Sequence, residues 1–156
     1  MEKLDKHTVE KELQKYLEEN GLFLVDVLID DHNHVKIEID SMAGVNIEQC
    51  VKVTRIFESL YDRDIFDYSL EVSSPGLDAP FKTKKQWEKN IGKKIWVTTH
   101  DQKKICAVLS GFDEHNIIIK PVTLKKRGKA TVEIVEESET NIPIDQIKTM
   151  KKYIKI

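Results

Sequence analysis

Cysteine is scarce. Cys50 and Cys106 are the only two, so no disulfide framework is indicated, and both sit in apolar patterns that predict buried free thiols. Long apolar runs are missing as well. No stretch approaches the roughly 20 residues needed to span a bilayer, and Met1-Glu2-Lys3-Leu4-Asp5-Lys6 lacks the apolar centre of a secretion signal. A cytoplasmic monomer without membrane contact is expected. With 6 Gly in 156 residues, there is no Gly-rich phosphate loop, dinucleotide fingerprint, internal repeat or low-complexity tract. His32 and His34 flank a turn, but no third ligand lies at a recognisable metal spacing, and His7, His100 and His115 are single. Ser73 and Ser74 lack the Gly-x-Ser-x-Gly surroundings of a nucleophile elbow. No catalytic residue, metal or cofactor is expected, and the chain reads as a non-enzyme.

What the chain does have is charge, and the charge is sorted. Residues 1–80 hold 8 Lys+Arg against 18 Asp+Glu, a net of −10, while residues 81–156 hold 17 against 9, a net of +8. The overall net of −2 hides two halves of opposite sign, suited to lie between differently charged surfaces. With 40% hydrophobic and 33% charged residues, the composition is that of a folded globular chain.

Hydrophobic periodicity predicts the elements. Val9, Leu13, Tyr16 and Leu17 form a helical stripe from Thr8, the expected N-cap, to Asn20, with Gly21 closing it. The period then switches to two. Phe23, Val25, Val27 and Ile29 make one strand, and Val35, Ile37 and Ile39 make a second, edge-like one across the turn Asp31-His32-Asn33-His34. Asn46 with Gln49 starts a helix expected to bury Ile47, Cys50, Val51, Thr54, Phe57 and Leu60, and a third strand spans Tyr68 to Ser73. The first half is thus an α-β-β-α-β sandwich. The segment Ser73-Ser74-Pro75-Gly76-Leu77-Asp78, with Pro80 beyond it, reads as a stiff hinge. Proline fixes φ, Gly76 permits φ above zero, and the Ser and Asp side chains are expected to bond turn amides. A short helix at Lys84–Asn90 follows. Strands come next at Lys93–Thr99, Lys103–Gly111, Asn116–Val122, Ala130–Glu136 and Thr149–Ile156, with a loop at Lys125–Lys129 and a helical turn at Pro143–Ile147. Short strands at this spacing predict a small closed barrel of the SH3 or Sm kind. The fold class is α+β, with an N-terminal domain over residues 1–80 and a C-terminal barrel over 81–156.

The run Leu70-Glu71-Val72-Ser73-Ser74-Pro75-Gly76-Leu77-Asp78, together with Ile39-Asp40, Gly44, Thr54-Arg55, Ile91-Gly92-Lys93, Gly111 and Ile144 to Ile147, resembles the bacterial ribosome maturation factor RimP family across essentially the whole chain. The family pattern has Arg where this chain has Ala79, and Arg-Leu near the last strand where it has Met150-Lys151-Lys152. The resemblance implies a KH-like N-terminal domain, an Sm-like C-terminal barrel, and a factor that binds the immature small ribosomal subunit. It also implies a small-subunit ribosomal protein near the decoding region as partner.

Lys82, Lys84 and Lys85, and the acid-free run Lys125-Lys126-Arg127-Gly128-Lys129, are candidate contacts for ribosomal RNA or a protein partner. Lysines supply point charges for phosphates and carry no base code. The acidic half suits a basic ribosomal protein. It lacks the Gly-x-x-Gly clamp of an RNA-binding KH domain, since Gly44 is followed by Val45-Asn46-Ile47. An Sm-like general RNA-binding regulator is the alternative function. Trp87 and Trp96 are expected to pack rather than to stack on bases.

Overall fold

The computed structural model describes residues 3–154. By its internal contacts the chain divides into two compact units, Met1–Gly76 and Leu77–Ile156, so Leu77 to Pro80 go with the second.

The first unit runs α1 (Lys6–Glu19), β1 (Phe23–Ile29), β2 (His34–Asp40), α2 (Ile47–Leu60) and β3 (Ser69–Ser73), the expected α-β-β-α-β order. The cap of α1 is Asp5, not Thr8. Its carboxylate accepts from the Thr8 backbone N–H at 3.0 Å and the Thr8 hydroxyl at 2.7 Å, and these bonds hold it below the usual carboxylate range. The first turn is wholly polar, so apolar periodicity carried no sign of it. At the other end Gly21, with φ of 70°, closes a Schellman motif. Leu22 N–H donates to Leu17 at 2.8 Å and Gly21 N–H to Glu18 at 3.3 Å.

β2 is central, not an edge. The sheet order is β1-β2-β3, antiparallel between β1 and β2 and parallel between β2 and β3. The crossover through α2 brings β3 onto the side that the hairpin alone leaves open. Burial follows. Glu38 and Asp40, on the strand that alternation marks as edge-like, are 7% and 8% exposed, and neither lacks a partner.

Asn46 and Gln49 form the expected capping box of α2, with bonds of 2.8 and 2.9 Å. The buried face of this helix is rotated from the expected one. Val53 and Phe57 are buried, whereas Ile47 is 83% exposed and Val51 and Leu60 also face solvent. Thr54 is half-buried, and its hydroxyl donates to the Cys50 carbonyl at 2.9 Å. Phe57 anchors the core, its ring centroid 4.8 Å from that of Tyr61 and 5.1 Å from that of Tyr68, edge-on to the latter. Tyr68 hydroxyl donates to the Tyr61 carbonyl at 2.9 Å.

The second unit contains α3 (Lys84–Lys89), β4 (Lys94–Thr99), β5 (Lys104–Phe112), β6 (Asn116–Arg127), β7 (Ala130–Val135), β8 (Thr140–Pro143), a 3-10 turn at Ile144–Gln146 and β9 (Ile147–Lys152). Its core holds Ile95, Val97, Ala107, Leu109, Ile117, Ile119, Ile142 and Met150, with Trp87 and Phe112 packed against it edge to face at 5.3 Å. The pairing order is β7-β6-β5-β4-β9, with β8 also on β6. Among the described residues no ladder joins the two ends, so the sheet is not the closed barrel that strand spacing predicted. β6 is the reason. It is long enough to pair with β8 through Asn116–Ile119 and with β7 through Val122–Arg127. Lys155 and Ile156, placed in the last strand from sequence, lie outside the described residues. Cys50 and Cys106 are free and half-buried rather than buried.

Phe57→Ala is expected to cost about 3–5 kcal/mol, enough to unfold a small unit, whereas Ile47→Ser should change stability by under about 0.5 kcal/mol. Urea denaturation midpoints check both, and equal effects would overturn the assigned face of α2.

Candidate nucleic-acid interface

The long β6 also decides where the basic run goes. Lys125, Lys126 and Arg127 are its last residues rather than a loop, and Arg127 faces Ala130 across the two-residue turn Gly128-Lys129. Gly128 has φ of 66°, the left-handed conformation such a turn requires at its first position. The pairs Lys125↔Val132 and Lys126↔Thr131 put successive cations on opposite faces of the ribbon. All four cations, Lys125, Lys126, Arg127 and Lys129, are exposed. None has an acidic partner among the described residues. The nearest acids along the hairpin are already engaged: Glu133 binds Lys94, and Glu136 accepts from the Thr123 hydroxyl at 3.0 Å. Leu124, beside the cations, is 69% exposed.

Lys82, Lys84 and Lys85 are not part of this cluster. They lie around the start of α3, whose Trp87 packs on Phe112 at the opposite end of the sheet. Phe112 pairs with Ile117 near the start of β6, whereas Lys125 to Arg127 are its last residues. Lys85 is 3.9 Å from Glu88. Lys82 is not without a partner, and its backbone N–H donates to Gln86 at 2.6 Å.

Glu133 anchors the hairpin to the sheet. Its carboxylate bonds the Lys94 ammonium on β4 and accepts from the Tyr153 hydroxyl at 2.8 Å. That hydrogen bond raises the Lys94 pKa, and the same carboxylate raises that of Tyr153. Ile95, Val97 and Thr99 are buried, so Lys94, Trp96 and Thr98 point to the outer face of the sheet. There the Trp96 ring lies 5.6 Å from that of Tyr153, and the Lys104 ammonium sits 4.4 Å above the Trp96 centroid. Trp96 is therefore not in the core. The charge and alternation of Lys94-Ile95-Trp96-Val97 carried that signal, because the residues flanking Trp96 are the apolar ones.

At the hinge, Ser73 ends β3 opposite Glu38, and neither Ser73 nor Ser74 hydroxyl has a hydrogen-bond partner among the described residues. Asp78 does not bond a turn amide. It accepts from Lys151 at 2.8 Å, which holds its carboxyl below the usual range. Gly76 does not use the positive φ that glycine permits.

The arrangement closest to a catalytic one is Asp30-His34-Ser69. Asp30 Oδ2 is 2.7 Å from His34 Nδ1. Backbone bonds from His34 and His32 hold the Asp30 carboxylate below its ordinary value. Both residues line an open depression of about 520 Å³ with Ser69, which pairs with His34 across the sheet. Among the described residues the Ser69 hydroxyl has no bond to His34, so the nucleophile–base link is missing. Nor does any group of three or more His, Cys, Asp or Glu among the described residues suit a metal ion, and no helix there is long and apolar enough to cross a membrane.

With the boundary at Gly76, the first unit carries 8 Lys+Arg and 17 Asp+Glu, net −9, and the second 17 and 10, net +7. Fold and charge define a two-unit α+β protein with an unneutralised cationic hairpin on its basic unit. The RimP N-terminal domain model matches residues 12–78. A ribosome maturation factor RimP from Christiangramia forsetii is 38% identical over 136 residues, covering 82% of this chain and 86% of that protein. One from Porphyromonas gingivalis is 34% identical over 151 residues, covering 97% and 99%. The chain belongs to the ribosome maturation factor RimP family.

Because Glu133 raises the pKa of Lys94 and Tyr153 above their unfolded values, its stabilising contribution is full at neutral pH. It is lost as pH rises above about 10, through the folded pKa values. Absorbance titration should show late ionisation of Tyr61, Tyr68 and Tyr153 in the native chain, with the Tyr153 step alone shifting down in Glu133→Gln. Backbone amides of 123–135 should exchange faster in that variant at neutral pH. Unchanged exchange would mean that Glu133 does not anchor the hairpin.

Proposed function

We propose that this protein binds the immature small ribosomal subunit and assists its assembly and rRNA maturation without catalysing a reaction. The observation that carries this reading is the hairpin cluster of Lys125, Lys126, Arg127 and Lys129. It is exposed and lacks acidic partners among the described residues, in a chain whose relatives are named ribosome maturation factors. Four unneutralised cations on a projecting ribbon fit the phosphates of folded rRNA, which is recognised by shape and charge rather than by base edges. The acidic unit, which lacks a Gly-x-x-Gly clamp, is assigned to a basic small-subunit ribosomal protein near the decoding region. Its α-β-β-α-β order is taken as KH-like in outline. In the other unit the succession β4-β5-β6-β8, 3-10 turn, β9 is taken as a variant of the SH3/Sm-like sheet. The factor acts in the cytoplasm as a monomer. It occupies an immature conformation and leaves when mature contacts form, so differential affinity does the work and no chemistry is needed.

Co-sedimentation with immature subunits, weaker with mature ones and lost in high salt, is the expected result. Equal binding to both particles would remove the maturation role. Four phosphate contacts correspond to a log–log salt slope of about −3. Reversing charge at Lys125, Lys126, Arg127 and Lys129 together should bring that slope close to zero and weaken binding. An unchanged slope would place the rRNA contact elsewhere. Tight binding of short free RNA, with no preference for particles, would favour a general RNA-binding regulator instead.

A further inference from the structure

The outer face of β4, β5 and β9 combines features that the proposed phosphate contact does not use. Register and alternation place Trp96 between Cys106 on β5 and Lys151 on β9, with Tyr153 just beyond the end of β9. Both rings are half-buried in the whole chain, so each leaves some surface to solvent. Around them stand Lys104, 4.4 Å above the Trp96 ring, Lys94, 5.7 Å above the Tyr153 ring, and Lys151, which bonds Asp78. Tyr153 is fixed by its hydroxyl bond to Glu133 at 2.8 Å. The Trp96 ring is therefore held among lysines at the foot of the cationic hairpin, because Glu133 belongs to β7. Trp87, also half-buried, packs against the core of the unit. Trp96 instead occupies the charged face.

We infer that Trp96 and Tyr153 form a stacking platform for unpaired bases of single-stranded RNA, with Lys104 meeting an adjoining phosphate. This deepens the reading given above and rests on the partner being RNA. Aromatic rings in a positively charged setting bind single strands because every base has a π-face and every nucleotide a phosphate. A duplex keeps its bases stacked on one another and offers only phosphates. The platform thus selects unpaired segments, whereas the hairpin cations accept either form. Lys104 already rests on the ring that a base would cover. It is positioned to swing to the phosphate as the base arrives, exchanging a cation–π contact for an ion pair.

Only two tryptophans occur, so Trp87→Phe leaves Trp96 as the sole indole. Titrating that variant with an unstructured oligouridylate should quench its emission to saturation, while duplex RNA of equal length should not. The same titration of the native chain, compared with Trp96→Leu, gives the answer should Trp87→Phe fold poorly. Trp96→Leu should bind the single strand roughly 5- to 150-fold more weakly, the span that one base–aromatic stack is worth. Its affinity for duplex RNA should stay as in the native chain. Lys104→Ala should weaken single-strand binding several-fold. Unchanged emission while anisotropy reports bound single strand, or equal quenching by duplex, would overturn the platform. Neither result touches the maturation reading, which fails separately if the native chain does not prefer immature particles.

Discussion

The hold of Glu133 on the foot of the β6–β7 hairpin is the interaction on which the cationic end of the second unit depends. Lys125, Lys126, Arg127 and Lys129 lie within five residues of a two-stranded ribbon that nothing else completes. In water, two unit charges 4 Å apart interact by only about 1 kcal/mol, and alternation along the strands divides the cations between two faces, so the ribbon tolerates them. It does need to be held at its foot, since an isolated hairpin is marginal. Glu133 supplies that hold through Lys94 and Tyr153, and Thr123 bonds Glu136 across the same ribbon. The acids of the hairpin are spent on anchoring it, and this leaves the turn positive.

The same logic separates core from surface throughout the chain. In the first unit Val27, Ile37 and Phe57 fill the space between sheet and helices. In the second Ile95, Leu109, Ile117 and Met150 fill the hollow of the curved sheet. Chemistry is therefore left to outer faces and strand ends. The Asp30–His34 pair is such a surface feature. Its exposure lets water satisfy both groups, and among the described residues the serine beside it makes no hydrogen bond to the imidazole.

Element type and order in the first unit were legible because periodicity switches cleanly between 3.6 and 2. Caps and faces were less so. Asp5 and Thr8 are both good caps, and only three-dimensional geometry shows that one bonds the other. On α2, Ile47 and Val51 are four residues apart and read as a core pair, yet Val53 and Phe57 take the core. Sequence spacing defines two competing stripes, and the position of Tyr68 and the sheet chooses between them. β2 read as an edge because Lys36, Glu38 and Asp40 alternate with its apolar residues, and the parallel partner that covers it comes from thirty residues further on. In the second unit, basic residues with no apolar alternation concealed the extension of β6 through Lys125–Arg127. Thr140–Pro143, four residues ending in proline, carried too little pattern to be read as a strand. The basic cluster was visible as composition, whereas its separation from Lys82–Lys85 required the topology.

The chain on either side of Ala79 is tied to the last strand. Asp78 keeps a cationic partner in Lys151 at 2.8 Å, and two residues after Ala79 the Phe81 N–H donates to the Met150 carbonyl at 2.7 Å. Both bonds run to β9, so the start of the second unit is fixed on its last strand from two points. The ion pair is exposed and worth little alone, but the backbone bond beside it holds the register in which the two side chains meet. Between Ser73, still paired in β3, and Asp78, already tied to β9, stand only Ser74, Pro75, Gly76 and Leu77. Proline removes one torsional freedom from that short stretch. The Ser-Ser-Pro-Gly-Leu-Asp run is therefore read best as two anchored ends around a minimal connector. Lys151 occupies the position from which a cation reaches Asp78.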